Sequence, residues 1–125
     1  IAYTKTRQQF GVPISSFQAL QHRMVDNFMA AEQARSMVYR ALCAFGHGSL
    51  EVENERMRSL HAMKITVAKS SKLIGEEAIQ IHGGMGMTDE LNIGHYVKRL
   101  MTINLMFGDG DYHQRRFNQI SYEAA

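Results

Sequence analysis

A chain of 125 residues with 14 Lys and Arg, 12 Asp and Glu and a formal charge of +2 has the size of one domain with one hydrophobic core. Its charges are interleaved in sign and not blocked, which excludes a nucleic-acid stripe or a polybasic membrane anchor. No apolar run approaches the roughly 18 residues of a membrane span, and no signal-peptide pattern opens the chain. The lone Cys43 excludes an internal disulfide, fits a reducing compartment and reads as a core residue.

Residues 1–9 are compatible with a helix that ends at Phe10-Gly11-Val12-Pro13, where Gly11 offers a left-handed cap and Pro13 forbids continuation. Because Ile1 stands first and the opening residues read as the middle of a helix, a piece of a longer chain is expected. Ser15 and Ser16 offer N-cap hydroxyls to a second helix, which runs to about Phe45 with Phe17, Leu20, Met24, Phe28, Ala31, Val38, Leu42 and Phe45 mostly on one face. Gly46-His47-Gly48-Ser49 reads as a turn with a capping serine. Met57, Leu60, Met63, Val67, Ile74, Ala78 and Ile81 then restore the helical period.

The third helix runs into Gly83-Gly84-Met85-Gly86. One glycine is enough for a left-handed cap, so this cluster reads either as a Schellman turn followed by a loop or as backbone kept bare for something to approach. Thr88-Asp89-Glu90 caps a short helix around Ile93–Met101, and a last helix spans Asp111–Tyr122. Two long amphipathic helices joined by a short turn must lie antiparallel. The expected fold is all-α, an up-and-down bundle of about four main helices forming one domain over 1–125, with the nine methionines as flexible core filler.

The six histidines, His22, His47, His61, His82, His95 and His113, include no pair at i, i+4 spacing, so no metal site is expected. Asp109-Gly110-Asp111-Tyr112-His113 superficially suits a hard cation, yet the same run arises from N-capping with an acidic first turn. A G-x-S-x-G elbow and a phosphate-binding G-x-x-x-x-G-K are both missing, and the glycine cluster follows a helix where a dinucleotide fingerprint needs a strand.

Three blocks, in this order and at these separations, carry a resemblance over Tyr3 to about Arg116. They are Tyr3-Thr4-Lys5-Thr6-Arg7-Gln8-Gln9-Phe10-Gly11-Val12-Pro13-Ile14 with Phe17-Gln18-Ala19-Leu20-Gln21-His22, then Ala78 to Thr88, then Ile93-Gly94-His95-Tyr96-Val97-Lys98-Arg99. The chain resembles the C-terminal helical domain of the acyl-CoA dehydrogenases. That resemblance implies a flavoprotein in which FAD takes a hydride from the β-carbon of an acyl-CoA while a carboxylate removes the α-proton, giving the 2-enoyl thioester. It further implies a three-domain chain, an electron-transfer acceptor protein, a homodimer or dimer of dimers that can be heteromeric, and a cytoplasmic location, or the mitochondrial matrix in a eukaryote. This domain alone would be inactive.

Similarity carries the functional positions over one by one. Arg7 matches the arginine that meets the FAD pyrophosphate, Phe10 an aromatic near the same cofactor, Gln18 and Gln80 polar contacts to its ADP part, and Gly83 and Gly84 the bare backbone that approaches it across a dimer interface. The base position departs from the family. Where many members have an aromatic residue followed by Glu-Gly-Thr, this chain has Phe107-Gly108-Asp109-Gly110-Asp111. Without a gap the base falls on Gly108. With a shift of one, Asp109 takes the role, which the resemblance favours. The rival readings are a base supplied from elsewhere, a subunit without one in a heteromeric pair, and Asp109 as only an N-cap. A non-catalytic oligomerisation bundle is the alternative from another class.

Overall fold

The computed structural model describes residues 1–45 and 50–123. The turn read at Gly46-His47-Gly48-Ser49 lies outside the described residues. The four main helices are α2 (Gln18–Ala44), α3 (Leu50–His82), α4 (Ile93–Leu105) and α5 (Gly110–Glu123), preceded by the short α1 (Ala2–Thr6).

The amino-terminal segment departs from expectation. The helix stops at Thr6, and Gln8–Gln9 (β1) pairs antiparallel with Val12–Pro13 (β2), Gln8 facing Pro13 and Gln9 facing Val12. Phe10 at φ 55° and Gly11 at φ 80° form the two-residue turn between them, the left-handed pair that matches strand twist in a tight hairpin. Gly11 is therefore a hairpin residue where a helix cap was expected. Ser15 and Ser16 do not cap α2; Ile14–Ser16 is a single 3₁₀ turn, and the N-cap is Phe17 without a side-chain bond. Thr88-Asp89-Glu90 likewise leaves the start of α4 uncapped. Asn92 holds that N-cap, and the Thr88 hydroxyl bonds back to the Met85 carbonyl.

α2 and α3 lie antiparallel, tied near one end by a two-pronged ion pair from Arg23 to Glu77 (2.6 and 2.8 Å) and near the other by Arg40 to Glu55 (3.3 Å). Arg56 of α3 also donates to the Ala44 carbonyl, satisfying a C-terminal carbonyl of α2. The α2 seam toward α3 is made of small residues. Ala30 and Ala41 are buried there, whereas Phe28, Leu42 and Phe45 of the expected core stripe are 58%, 65% and 54% exposed. Small side chains let two long helices approach closely, and the large apolar residues are left on the outer face. Cys43 is exposed too, correcting its reading as core. The methionines share this correction: Met29, Met87, Met101 and Met106 are exposed and the other five are half-buried.

The core runs along α3, which packs against α1, α2, α4 and α5. Val97 lies beside Gly75, Asn104 bonds the Ala68 carbonyl, Gly110 sits against Ala68, and His113 meets His61. α4 and α5 therefore run in one direction, both antiparallel to α3. α4 covers its carboxyl half and α5 continues over its amino half. The alternation of direction expected of an up-and-down bundle holds from α2 to α3 to this α4–α5 rod, and the rod is broken by an elbow at residues 106–109.

Arg23 is the main cause that holds the Glu77 carboxyl below its usual 4.5, while burial opposes the shift. A depressed carboxylate contributes stability above the unfolded value that is lost as pH falls through the folded one. With both side chains partly exposed, Glu77→Gln is expected to lower unfolding free energy by about 1 kcal/mol at pH 7, and the deficit should shrink below pH 4, as read from urea midpoints against pH.

Candidate functional site

Two separate stations carry the chemistry-bearing residues. The first lies at the end of the bundle where α2 begins and α3 stops. Tyr3 of α1 stacks on His82 at 4.2 Å between ring centroids, and its hydroxyl donates to the His82 carbonyl at 3.4 Å. Thr4 is fully buried beneath it, its hydroxyl on the Ile1 carbonyl and against the Met24 sulfur. This docking sets Arg7, one turn after Tyr3 and bonded to the Tyr3 carbonyl through its own N–H, in the neighbourhood of Gly83, the residue after His82. Gln18, first residue of α2, comes to the same end by the antiparallel pairing, as does Gln80 in the last turn of α3. Arg7, Gln18, Gln80, Gly83 and Gly84 are all exposed, and among the described residues no ion pair engages Arg7. Phe10 is 85% exposed at the hairpin tip, edge-on to Phe17, so it is no core staple.

The glycines of this station have three different reasons to be glycine. Gly83 adopts φ +60°, the left-handed conformation that ends α3. At Gly86 a Cβ would lie 2.8 Å from the Ile79 carbonyl oxygen, so the 3₁₀ turn Gly83–Met87 folds back tightly on α3. Gly84 has neither constraint: its φ is ordinary and a Cβ there would meet nothing within 4 Å. Among the described residues its bareness answers no steric or conformational need. A cap explains Gly83, close packing explains Gly86, and Gly84 is left presenting open backbone.

The second station is the elbow between α4 and α5. Phe107 (φ 60°) and Gly108 (φ 98°) are both left-handed, a costly conformation for a phenylalanine of about 1 kcal/mol or more. Neighbouring groups hold it there: Lys64 of α3 donates to the Met106 carbonyl at 2.8 Å, and His113 Nε2 lies 3.1 Å from the Phe107 carbonyl oxygen. Asp109 follows, exposed, with Oδ1 accepting the Tyr112 backbone N–H at 2.7 Å as the N-cap of α5. The capping reading of the Asp-Gly-Asp-Tyr-His run is thus realised, and His113 is directed at His61 and the elbow. Among the described residues no group of three or more His, Cys, Asp and Glu is placed to hold a metal ion, and no helix is long and apolar enough to cross a membrane. The ungapped base position, Gly108, has no room, because a Cβ there would run into the Tyr112 ring.

Asp109 lies at a cleft of about 630 Å³ between α3, α4 and α5, with Ile65, Val97, Leu100 and Leu105 on its apolar walls and Lys69 and Lys72 among its polar lining. From Ala68, beside the elbow, to Gly83 is fifteen residues of chain, about 22 Å at the helical rise. The structure therefore gathers Arg7, Phe10, Gln18, Gln80, Gly83 and Gly84 at one end and sets Asp109 apart at mid-height. His61, Lys64 and Tyr112 had no local signal in the sequence, because their partners lie far along the chain or across the elbow.

The acyl-CoA dehydrogenase C-terminal domain family matches residues 1–120. Among curated proteins the chain is 39% identical over 99 residues to acyl-CoA dehydrogenase IpdE2 of Mycolicibacterium smegmatis, covering 79% of this chain and 29% of that protein. It is 35% identical over 105 residues to the probable acyl-CoA dehydrogenase YngJ of Bacillus subtilis, covering 82% and 26%. Among solved structures, an FAD complex of PigA superposes with a TM-score of 0.83 at 27% identity, covering 94% of this chain and 30% of that one. The chain thus spans less than a third of the length of these relatives.

Gly86→Ala is expected to lower the melting temperature by several degrees, because its Cβ meets backbone that cannot yield, whereas Gly84→Ala should leave melting unchanged. Thermal unfolding followed by circular dichroism of the two variants checks the contrast.

Proposed function

This chain belongs to the acyl-CoA dehydrogenase family as its C-terminal domain, and on that premise we propose that it is the carboxyl-terminal part of a three-domain flavoprotein that dehydrogenates an acyl-CoA to its 2-enoyl thioester. The observation that carries the reading is the open backbone at Gly84, with Arg7 brought to the same end by the Tyr3–His82 stack. A guanidinium with free N–H groups beside unobstructed main chain is a donor set that suits a diphosphate, and it fits the dinucleotide part of FAD. Arg7, Gln18, Gln80, Gly83 and Gly84 would hold that part, with Phe10 exposed beside them. FAD, when bound, supplies the acceptor for the substrate hydride.

The chain's own contribution to the reaction is assigned to the elbow. Asp109 removes the α-proton: its N-cap bond to Tyr112 fixes Oδ1, which leaves Oδ2 to accept the proton. An acyl group seated against the apolar walls of the adjoining cleft would displace water from them, which would strengthen the hydrogen bonds that stabilise the developing enolate. The 22 Å of helix between the two stations suits a dimer in which the glycine end of one protomer serves the cofactor of the next while its elbow serves its own. The exposed apolar face of α2, with Phe28, Met29, Tyr39, Leu42 and Phe45, is a surface for the remaining domains or a partner protomer. The partner that would accept electrons from the bound cofactor is an electron-transfer protein, in the cytoplasm or the mitochondrial matrix.

A second reading follows from Gly108. Its Cβ position is filled by Tyr112, so if Asp109 serves only as a cap, the subunit lacks a base and works in a heteromeric pair. Purified full-length protein is expected to carry flavin absorbance that bleaches anaerobically on addition of acyl-CoA. Lack of both bound flavin and acyl-CoA-dependent bleaching of added FAD would overturn the enzyme reading. Asp109→Asn should slow bleaching by about a hundredfold or more. Bleaching at the wild-type rate would take Asp109 out of the mechanism and put the base elsewhere, whereas a subunit without a base would bind flavin and not bleach with acyl-CoA in the absence of its partner subunit.

A further inference from the structure

His61 of α3 and His113 of α5 are 3% and 4% exposed, and their Nδ1 atoms lie 2.7 Å apart. Two imidazole nitrogens can share a hydrogen bond only if one carries the proton and the other does not. The elbow decides which. His113 Nε2 faces the Phe107 carbonyl oxygen at 3.1 Å, an atom that can only accept, so Nε2 carries the hydrogen. In a neutral ring His113 Nδ1 is then bare and accepts from His61 Nδ1–H. That leaves His61 Nε2 bare as well, and this atom is buried without a partner. A single proton-ordered chain thus runs from α3 through α5 to the carbonyl of the left-handed Phe107.

We propose that His61 and His113 are positioning residues for α-proton removal, a tautomer-locked brace that holds the Phe107–Gly108 elbow and so sets where the Asp109 carboxylate stands. The proposal rests on the reading of Asp109 as the base. The brace acts beside a second tie, Lys64 on the Met106 carbonyl, so two successive carbonyls of the elbow are held from outside it, and the His113 N–H adds a bond to the Asp109 carbonyl at 3.1 Å. His61 is neither part of the elbow nor one of the residues that line the cleft, and its ring reaches the elbow through His113. Its ring is the donor that keeps His113 in the tautomer able to hold Phe107.

The brace is also sensitive to pH. Burial is the main cause that pushes both histidines below their usual 6.5, and the charged groups facing them are Arg116 and the partner ring at His61, and Lys64 and Asp109 at His113. Of these, Asp109 and the Phe107 carbonyl favour the proton on His113 and Lys64 opposes it, while Arg116 opposes an added proton on His61. A proton taken up at the bare His61 Nε2 leaves the chain intact, whereas one on His113 Nδ1 sets N–H against N–H for as long as His61 keeps its proton on Nδ1.

The test uses the full-length flavin-loaded protein. His61→Asn keeps an N–H donor at the Nδ1 position and cannot ionise; His61→Leu keeps bulk and donates nothing. The Asn variant is expected to bleach within about twofold of wild type, whereas the Leu variant should bleach about tenfold more slowly with unchanged flavin content and acyl-CoA affinity. Identical behaviour of Asn and Leu, both fast or both slow, would overturn the brace. Nitrogen-15 NMR of labelled histidines in the wild-type protein at pH 8 needs no variant: His113 should be protonated at Nε2 and His61 at Nδ1, and the opposite tautomers would overturn the proposal. If Asp109→Asn bleaches normally while the tautomers are as stated, it is the base assignment that fails and not the brace.

Discussion

One uninterrupted helix governs the placement of everything else. α3 runs 33 residues from Leu50 to His82, and each other element is located by where it meets that rod. The elbow is anchored at His61, Lys64 and Ala68, and the glycine turn is fixed at the far terminus. A helix transmits distance rigidly, so the separation of the two stations is a property of chain length and needs no further interaction to maintain it. What must be maintained is the conformation at each station, and there the devices differ. The glycine end is held by ring stacking and a fully buried threonine hydroxyl, the elbow by hydrogen bonds to successive carbonyls.

The packing explains why so many large apolar residues stay in contact with solvent. The α2–α3 seam uses alanine on one side, and the most buried groups of α3 are Ser59, His61 and Ser70. Close helix approach needs small side chains, and buried polar groups then look for partners nearby, which His61 Nδ1 finds and His61 Nε2 does not. Ser59 bonds Glu55 and His61 bonds His113. The cost of that arrangement is that Phe28, Met29, Tyr39, Leu42 and Phe45 have nowhere inward to go. An exposed face of this kind suits the binding surface proposed for it above.

Periodicity made the helices legible, because α2 and α3 repeat apolar residues at helical spacing for many turns. It did not reveal which stripe faces inward. The spacing rule counts hydrophobicity, and here the inner face is chosen by size. The hairpin at Phe10-Gly11 was hidden because a two-residue strand has no period to read, and because Gly11 before Val12-Pro13 is an equally good helix stop. The glycine cluster was legible as an anomaly, but only coordinates could divide it into a left-handed residue, a tightly packed residue and an open one. The nucleotide-end residues came from family resemblance alone. Geometry adds that Arg7, Gln18, Gln80, Gly83 and Gly84 share one end. His61 and His113 stand 52 positions apart, so no local pattern could pair them.

The central claim is that the two stations of one α3 serve two different cofactor sites in a dimer. The most direct measurement combines lesions in opposite protomers: a mixed dimer of one Asp109→Asn chain and one Gly84→Leu chain, isolated by two affinity tags and loaded with flavin. The first mixed site then has an intact elbow and an intact partner glycine, and the second carries both lesions. The account predicts that about half of the flavin sites bleach with acyl-CoA at the wild-type rate. A mixed dimer with no fast-bleaching flavin would contradict it, because each site would then draw both stations from a single chain.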